Sequence, residues 1–172
     1  NFILSNAFDW NMRTYYLCEE INDDKFNATF TINFSKTVDL DAFLYDPAYV
    51  SRQNDRTFNG CPLLVAVYVS TGDQPFTLNT IFRSDPVFPW ARFQFVFPEK
   101  VTCDRLKLEF AEVTLQEMAM LPGETNPTAN LVICNLLFIQ HLDESPSSIW
   151  SATGIYNNNE YVKKHMVDFS KI

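Results

Sequence analysis

Hydrophobic and polar residues alternate along much of the chain with the period of two that marks a strand half-buried in a sheet. The clearest run is F-N-A-T-F-T-I-N-F-S at 26–35. Phe26, Ala28, Phe30, Ile32 and Phe34 share one face, and Asn27, Thr29, Thr31, Asn33 and Ser35 share the other. A shorter strand is predicted over 38–45. Residues 76–82 alternate so that Phe76, Leu78, Thr80 and Phe82 share a face. Residues 92–97 set Phe93, Phe95 and Phe97 against Arg92, Gln94 and Val96. Residues 104–110 set Leu106, Leu108 and Phe110 against Arg105, Lys107 and Glu109. Two segments, 62–70 and 131–139, are apolar on both parities, the pattern of a strand covered on both faces. Proline or glycine punctuates most gaps, among them Pro47, Gly72, Pro75, Pro86, Pro89, Pro98, Pro122 and Gly123.

Seven or eight short strands with turn signals between them, and no strong amphipathic helix, predict an all-β sandwich or barrel. Facing phenylalanine stripes suit two packed sheets. The period is lost after about residue 140. Residues 1–140 therefore read as one domain, and 141–172 as a C-terminal extension or the start of a following domain, with a short helix around 158–169.

Composition narrows the function. With 172 residues there is room for one domain with a sizeable core, and the 16 Phe predict an interior built from rings. A net charge of −8 disfavours nucleic acid and anionic membranes, and Lys163-Lys164, the one adjacent basic pair, reads as a solvated face. No apolar run approaches the ~20 residues of a membrane span. The chain begins at Asn1 rather than Met, which reads as a processed protein or a piece of a longer one. Cys18, Cys61, Cys103 and Cys134 lack C-x-x-C spacing. They are either buried thiols or two disulfides in one of three connectivities. Asn27-Ala28-Thr29 and Asn33-Phe34-Ser35 are N-glycosylation sequons on the wet face of a strand, which points to an extracellular or cell-surface protein. The catalytic search is negative: the sequence has no H-E-x-x-H, no G-x-S-x-G and no phosphate-binding loop. The acidic pairs fall in polar segments, so the chain reads as a binder and not an enzyme.

The order of the segments resembles the discoidin family, which includes coagulation-factor type C domains and family 32 carbohydrate-binding modules. Three stretches carry the likeness: "AFDWNMRTYY" (7–16), "ATFTINFSKTVDLDAFLYDP" (28–47) and "RTFNGCPLLVAVYVSTGDQPFTLN" (56–79), with "NLVICNLLFI" (130–139) in the place of the family's closing strand. The resemblance implies an antiparallel jelly-roll β-sandwich of about eight strands, galactose-binding-like, with loops at one end forming the binding face. It implies galactose-type sugars for many relatives, phospholipid headgroups or proteins for others, and roles as accessory or adhesion domains. Two departures stand out. Trp10 follows Asp9 where the family has Gly. Asn135 stands where many relatives supply a Glu to a structural calcium ion, although Asp9, Asn11 and Thr14 remain candidate ligands for such an ion. No other cofactor is expected.

The long polar connection 45–62 then acquires a purpose. A sugar needs a ring to stack on and forked donors for its hydroxyls. Trp10, Tyr49 and Trp90, with Tyr15 and Tyr16, are candidate platforms; Arg52, Asn54, Arg56 and Asn59 are candidate hydrogen-bonders. For several of these the structural role is the simpler one. Arg56 could pair with Asp55 or Asp46, and Asn59-Gly60 is a turn signal. The expected partners are glycans or glycoproteins, or other domains of a larger parent. The alternative function is a protein-interaction or adhesion domain of the same fold, because rings and arginine also dominate protein interfaces.

Overall fold

The computed structural model describes residues 4–11, 16–17, 28–47, 62–84, 92–113, 132–141 and 152–169. A 3-10 turn at Leu4–Phe8 is followed by β1 (Tyr16–Leu17), β2 (Ala28–Pro47), β3 (Pro62–Ser70), β4 (Thr77–Arg83), β5 (Phe93–Val113) and β6 (Val132–Gln140), then α1 (Ala152–Ile155) and α2 (Asn159–His165). All pairings are antiparallel, in the order β1-β6-β2-β5-β3-β4.

One continuous sheet makes both layers because β2 and β5 bend together. Between the pairs Asn33/Arg105 and Val38/Cys103, residues 34–37 of β2 oppose Asp104 alone. Between Leu40/Val101 and Ala42/Val96, residues 97–100 of β5 oppose Asp41 alone. The two bulges insert equal lengths on opposite strands, so the register is recovered beyond them while the ladder turns over. The halves beyond the bend, 28–33 and 105–113, carry β3 and β4 as sheet I. The halves 38–47 and 93–103 carry β6 and β1 as sheet II. This is the antiparallel β-sandwich the alternation predicts, with segments 26–35 and 38–45 fused into one strand, and 92–97 and 104–110 into another. Pro98 is a bulge residue in β5, not a break.

Rings fill the space between the sheets. Phe43 stacks on Phe95 at 4.5 Å, Phe34 meets Phe138 edge-on at 5.7 Å, and Phe30 meets Phe110 at 5.6 Å. Such pairs add about 0.5–1.5 kcal/mol each beyond their buried area.

Two expectations about faces need correction. β3 is not covered on both sides: Val65 and Val67 are buried, whereas Leu64, Ala66 and Tyr68 are only half-buried. It lies next to the edge strand β4, and among the described residues its outer parity is screened at Tyr68 by the Lys107 side chain, with no apolar layer over it. In β4 the phase breaks. Val67 pairs with Thr80 and Tyr68 with Leu78, so Asn79 is an extra residue. Phe82 reaches the core, and Leu78 is 52% exposed on the opposite face.

The doubly covered strand is β6, buried from Ile133 to Ile139. Leu136 and Phe138 face the ring-packed interior. Leu137 and Ile139 pack outward with Ala42 and Leu44 against Ile155, Tyr156 and Val162 of the tail. The tail helix forms where Asn158 accepts from the Glu160 and Tyr161 N–H groups at 3.1 and 3.2 Å. Lys163, Lys164 and His165 close it at the favourable end of the dipole. Beyond α2, Met166 bridges Ile139, and the Val167 N–H donates to the Phe138 carbonyl at 2.8 Å. Phe169 then packs on Phe8, Phe34 and Phe138.

Candidate functional site

The register places a set of strand ends on one side of the molecule. Pro47 ends β2 on sheet II and Pro62 begins β3 on sheet I. Arg83 ends β4 on sheet I and Phe93 begins β5 on sheet II. Val113 leaves sheet I and Val132 enters sheet II; Leu17 leaves sheet II and Ala28 enters sheet I. The connections 18–27, 48–61, 85–91 and 114–131 are therefore all anchored at the end away from the bend. Ser84 pins one anchor to another: its N–H donates to the Leu63 carbonyl at 2.9 Å and its hydroxyl to the Pro62 carbonyl.

A buried charge cluster fixes the other anchors. Asp46, next to last in β2, is 2% exposed. Arg92, just before β5, grips it with both arms of its fork: Nε donates to Oδ1 at 2.6 Å and Nη2 to Oδ2 at 3.1 Å. The remaining Nη1 donates to the Tyr156 carbonyl at 2.9 Å, and Asn135 Nδ2 donates to Asp46 Oδ2 at 3.2 Å. The connections beginning after Pro47 and ending before Arg92 are thus tied to β6 and to the tail through one ion pair. A bidentate pair of this kind is geometrically specific, and its burial makes each partner depend on the other.

Among the sequence-predicted ligand-binding residues, Tyr49, Arg52, Asn54, Arg56, Asn59 and Trp90 lie outside the described residues. Trp10 is described. Its ring is half-buried against the cluster of Ala42, Leu44, Leu137, Ile139 and the tail. Its φ of 56° is in the left-handed region, the conformation that suits the Gly of the resembling family's loop. Tyr16 turns inward onto Phe30, with ring centroids 5.9 Å apart. Asn33 is exposed on the outer face of sheet I; Asn27 lies outside the described residues. Cys103 and Cys134 are buried thiols, each pushed up to about 11 chiefly by burial, then by nearby carboxylates. No disulfide joins described residues, and Cys18 and Cys61 lie outside them.

For the candidate calcium ligands, Asp9 Oδ1 accepts from the Asn11 N–H at 2.9 Å, and the Asn11 carbonyl accepts from Cys134 Sγ at 3.7 Å. Thr14 lies outside the described residues. Among the described residues no three His, Cys, Asp or Glu side chains converge to hold a metal. Asn135 contributes an amide donor to Asp46, whose charge Arg92 already balances.

Nothing local to residue 92 singles out this arginine. It reads as a polar position of an alternating strand, and its partners are 46 and 64 residues away. The pairing that the sequence does raise for Asp46, with Arg56, competes with a carboxylate whose two oxygens both accept from Arg92.

No family model matches the sequence, and no curated protein matches it. Solved structures do. A family 32 module, CpGH89CBM32-5 from Clostridium perfringens in complex with GalNAc-β-1,3-galactose, superposes with a TM-score of 0.58 at 14% identity, over 79% of this chain and 82% of that one. The family 32 module of NanJ from C. perfringens, in complex with galactose, gives 0.57 at 13% identity, over 78% and 82%. CBM32-3 from a family 31 glycoside hydrolase of C. perfringens gives 0.60 at 19%, over 82% and 84%. The chain shares the β-sandwich fold of these modules.

Proposed function

We propose that the protein is a non-catalytic carbohydrate-recognition module, displayed outside the cell, that binds galactose-type glycans through the connections at the end of the sandwich away from the bend. The observation that carries this reading is the shared fold with modules solved holding galactose and GalNAc-β-1,3-galactose. The gathering of four connections at one end of a rigid scaffold supports it. In this reading Tyr49 and Trp90 supply stacking faces, Arg52, Asn54, Arg56 and Asn59 supply hydrogen bonds, and Asp46–Arg92 holds the anchors. The test is a glycan array followed by titration with lactose. Arg56→Ala abolishes binding, and Lys100→Ala, on the bend where it pairs with Asp39, leaves it intact. No binding to any glycan at millimolar concentration overturns the proposal. Binding needs no cofactor in this reading; loss of lactose binding in chelator, restored by calcium, would instead assign the ion to Asp9, Asn11 and Thr14.

The second reading is a protein-interaction or adhesion domain. It is favoured by the uncovered outer face of sheet I, where Leu78 and Ile81 are 52% and 53% exposed. Concentration-dependent sedimentation of the intact chain would support it.

A further inference from the structure

The adjacent lysines Lys163 and Lys164 are exposed, as a solvated face requires, and they also border a concavity. At the bend, away from the anchored connections, a cavity of about 490 Å³ opens between the bulge of β2, the end of β6 and the end of α2. Lys36 enters its lining from the bulge, and Lys163 and Lys164 from the helix, residues more than a hundred positions apart. Phe34 and Val38, both buried, and Met166 supply its apolar lining. Ser35 and Gln140 add neutral polar groups, and Asp168 adds one carboxylate against three ammonium groups. Among the described residues none of the three lysines forms an ion pair, whereas Lys100 and Lys107 are paired with Asp39 and Glu109.

We propose that this cavity is a second binding site, for an acidic sugar unit carrying sulfate or carboxylate groups. The inference rests on the carbohydrate-binding reading for the sugar, and on the cavity itself for the charge. An ammonium group has three donors and no acceptor, so three lysines lining one concavity suit a ligand rich in anionic oxygens. The volume lies in the range of small-ligand sites. The chain as a whole carries −8, which repels anions in general, so an excess of positive charge confined to one concavity confers selectivity on that spot. The bulge that forms one wall is the same feature that folds the sheet over, so the wall is held by the core of the sandwich.

Calorimetric titration of the full chain with a chondroitin sulfate tetrasaccharide, its chemically desulfated counterpart, sodium phosphate and lactose tests the proposal. Exposed ion pairs are weak singly, and three together should be worth about tenfold in affinity. Lys36→Ala/Lys163→Ala/Lys164→Ala is therefore expected to weaken the sulfated tetrasaccharide about tenfold and to reduce its salt dependence, leaving lactose unchanged. Lys100→Ala/Lys107→Ala removes charge elsewhere and is expected to change neither. Retained affinity of the desulfated tetrasaccharide assigns the recognition to carboxylate; its loss assigns it to sulfate. The proposal is overturned if the triple variant binds within about twofold of the parent, if the Lys100/Lys107 pair weakens binding equally, or if phosphate alone binds as tightly as the tetrasaccharide. Loss of the acidic ligand with Arg56→Ala and not with the triple variant would place the anion at the far end, overturning this inference and leaving the carbohydrate reading intact.

Discussion

The outer faces of the two sheets solve the same problem differently. Sheet II buries Ala42, Leu44, Leu137 and Ile139 beneath Ile155, Tyr156 and Val162 of the tail, with Trp10 alongside. Sheet I has no such cover among the described residues. Its outward rings are screened by charged side chains from β5: Lys107 Nζ sits 4.2 Å from the centroid of the Tyr68 ring and 5.4 Å from that of Phe76, and Arg105 Cζ lies 5.1 Å from Phe76. The Tyr68 hydroxyl is in turn hydrogen-bonded to Glu109, which raises its pKa. Stems of lysine and arginine can cover apolar surface while their heads stay wet. The cover on sheet II is hydrophobic and cooperative. The cover on sheet I is local, polar and removable one residue at a time.

If that contrast is correct, the largest effect should come from the pair that locks the tail to sheet II. Arg92→Ala leaves Asp46 buried without its cation and the Tyr156 carbonyl without its donor. Breaking a buried pair from one side costs about 3–5 kcal/mol. Urea denaturation should register that loss, and Arg92→Ala/Asp46→Asn should recover part of it by removing the stranded charge. Equal stability of Arg92→Ala and the parent would mean that the pair is solvated and the tail is not locked.

Next in size is the packing itself. Ile139 is fully buried under the tail, and Ile139→Ala should cost about 2–5 kcal/mol. Alkali offers an orthogonal probe of burial. Cys134 in β6 and Cys103 at the bend are pushed up to about 11 from 9.0, in both cases mainly by burial. A raised thiol pKa means that the folded protein holds the proton more tightly than the unfolded chain does. This contribution is whole below pH 9 and drains away as pH rises towards 11. The melting temperature should fall across that window, and Cys134→Ala/Cys103→Ala should flatten the fall.

How much of this was legible beforehand depends on whether the signal was local. Alternation at 26–35 and 104–110 placed Phe30, Ile32, Leu106 and Leu108 in the core, because period two is set by the strand itself. The apolar run at 131–139 marked β6 as doubly covered for the same reason. The matching run at 62–70 misled, since apolar residues on both parities do not reveal whether anything lies over the second face. Leu78 was assigned to the wrong face because one extra residue, Asn79, reverses the phase and has no sequence signature of its own. The bulges at 34–37 and 97–100 likewise read as breaks between strands. Arg92–Asp46 was invisible because a charge pair across 46 residues is created by the fold. The candidate ligand residues at 49–59 were found from composition, and they fall outside the described residues.

A smaller effect separates backbone from side chain on the covered face. Trp10 holds a φ of 56°, a conformation that costs an ordinary L-residue roughly 1–2 kcal/mol and glycine little. Trp10→Ala loses the ring and keeps the strain; Trp10→Gly loses both. The glycine variant should therefore be the more stable of the two by about 1 kcal/mol. The opposite order would show that the ring alone governs the turn.

The smallest effects belong to the bare face, and there a null result is informative. Ile81 is 53% exposed on edge strand β4, opposite Ala66. Ile81→Thr keeps the β-branch that suits a strand and removes apolar area already in water, so stability should move by no more than about 0.5 kcal/mol. Leu78→Thr, opposite Tyr68, should behave alike. If sheet I is screened only by its own lysine and arginine stems, both variants will also melt at the parent's temperature at every protein concentration. A drop that appears only at high concentration would mean that a second molecule covers Ile81 and Leu78 there. The two faces would then differ in which chain supplies the cover, not in whether one exists.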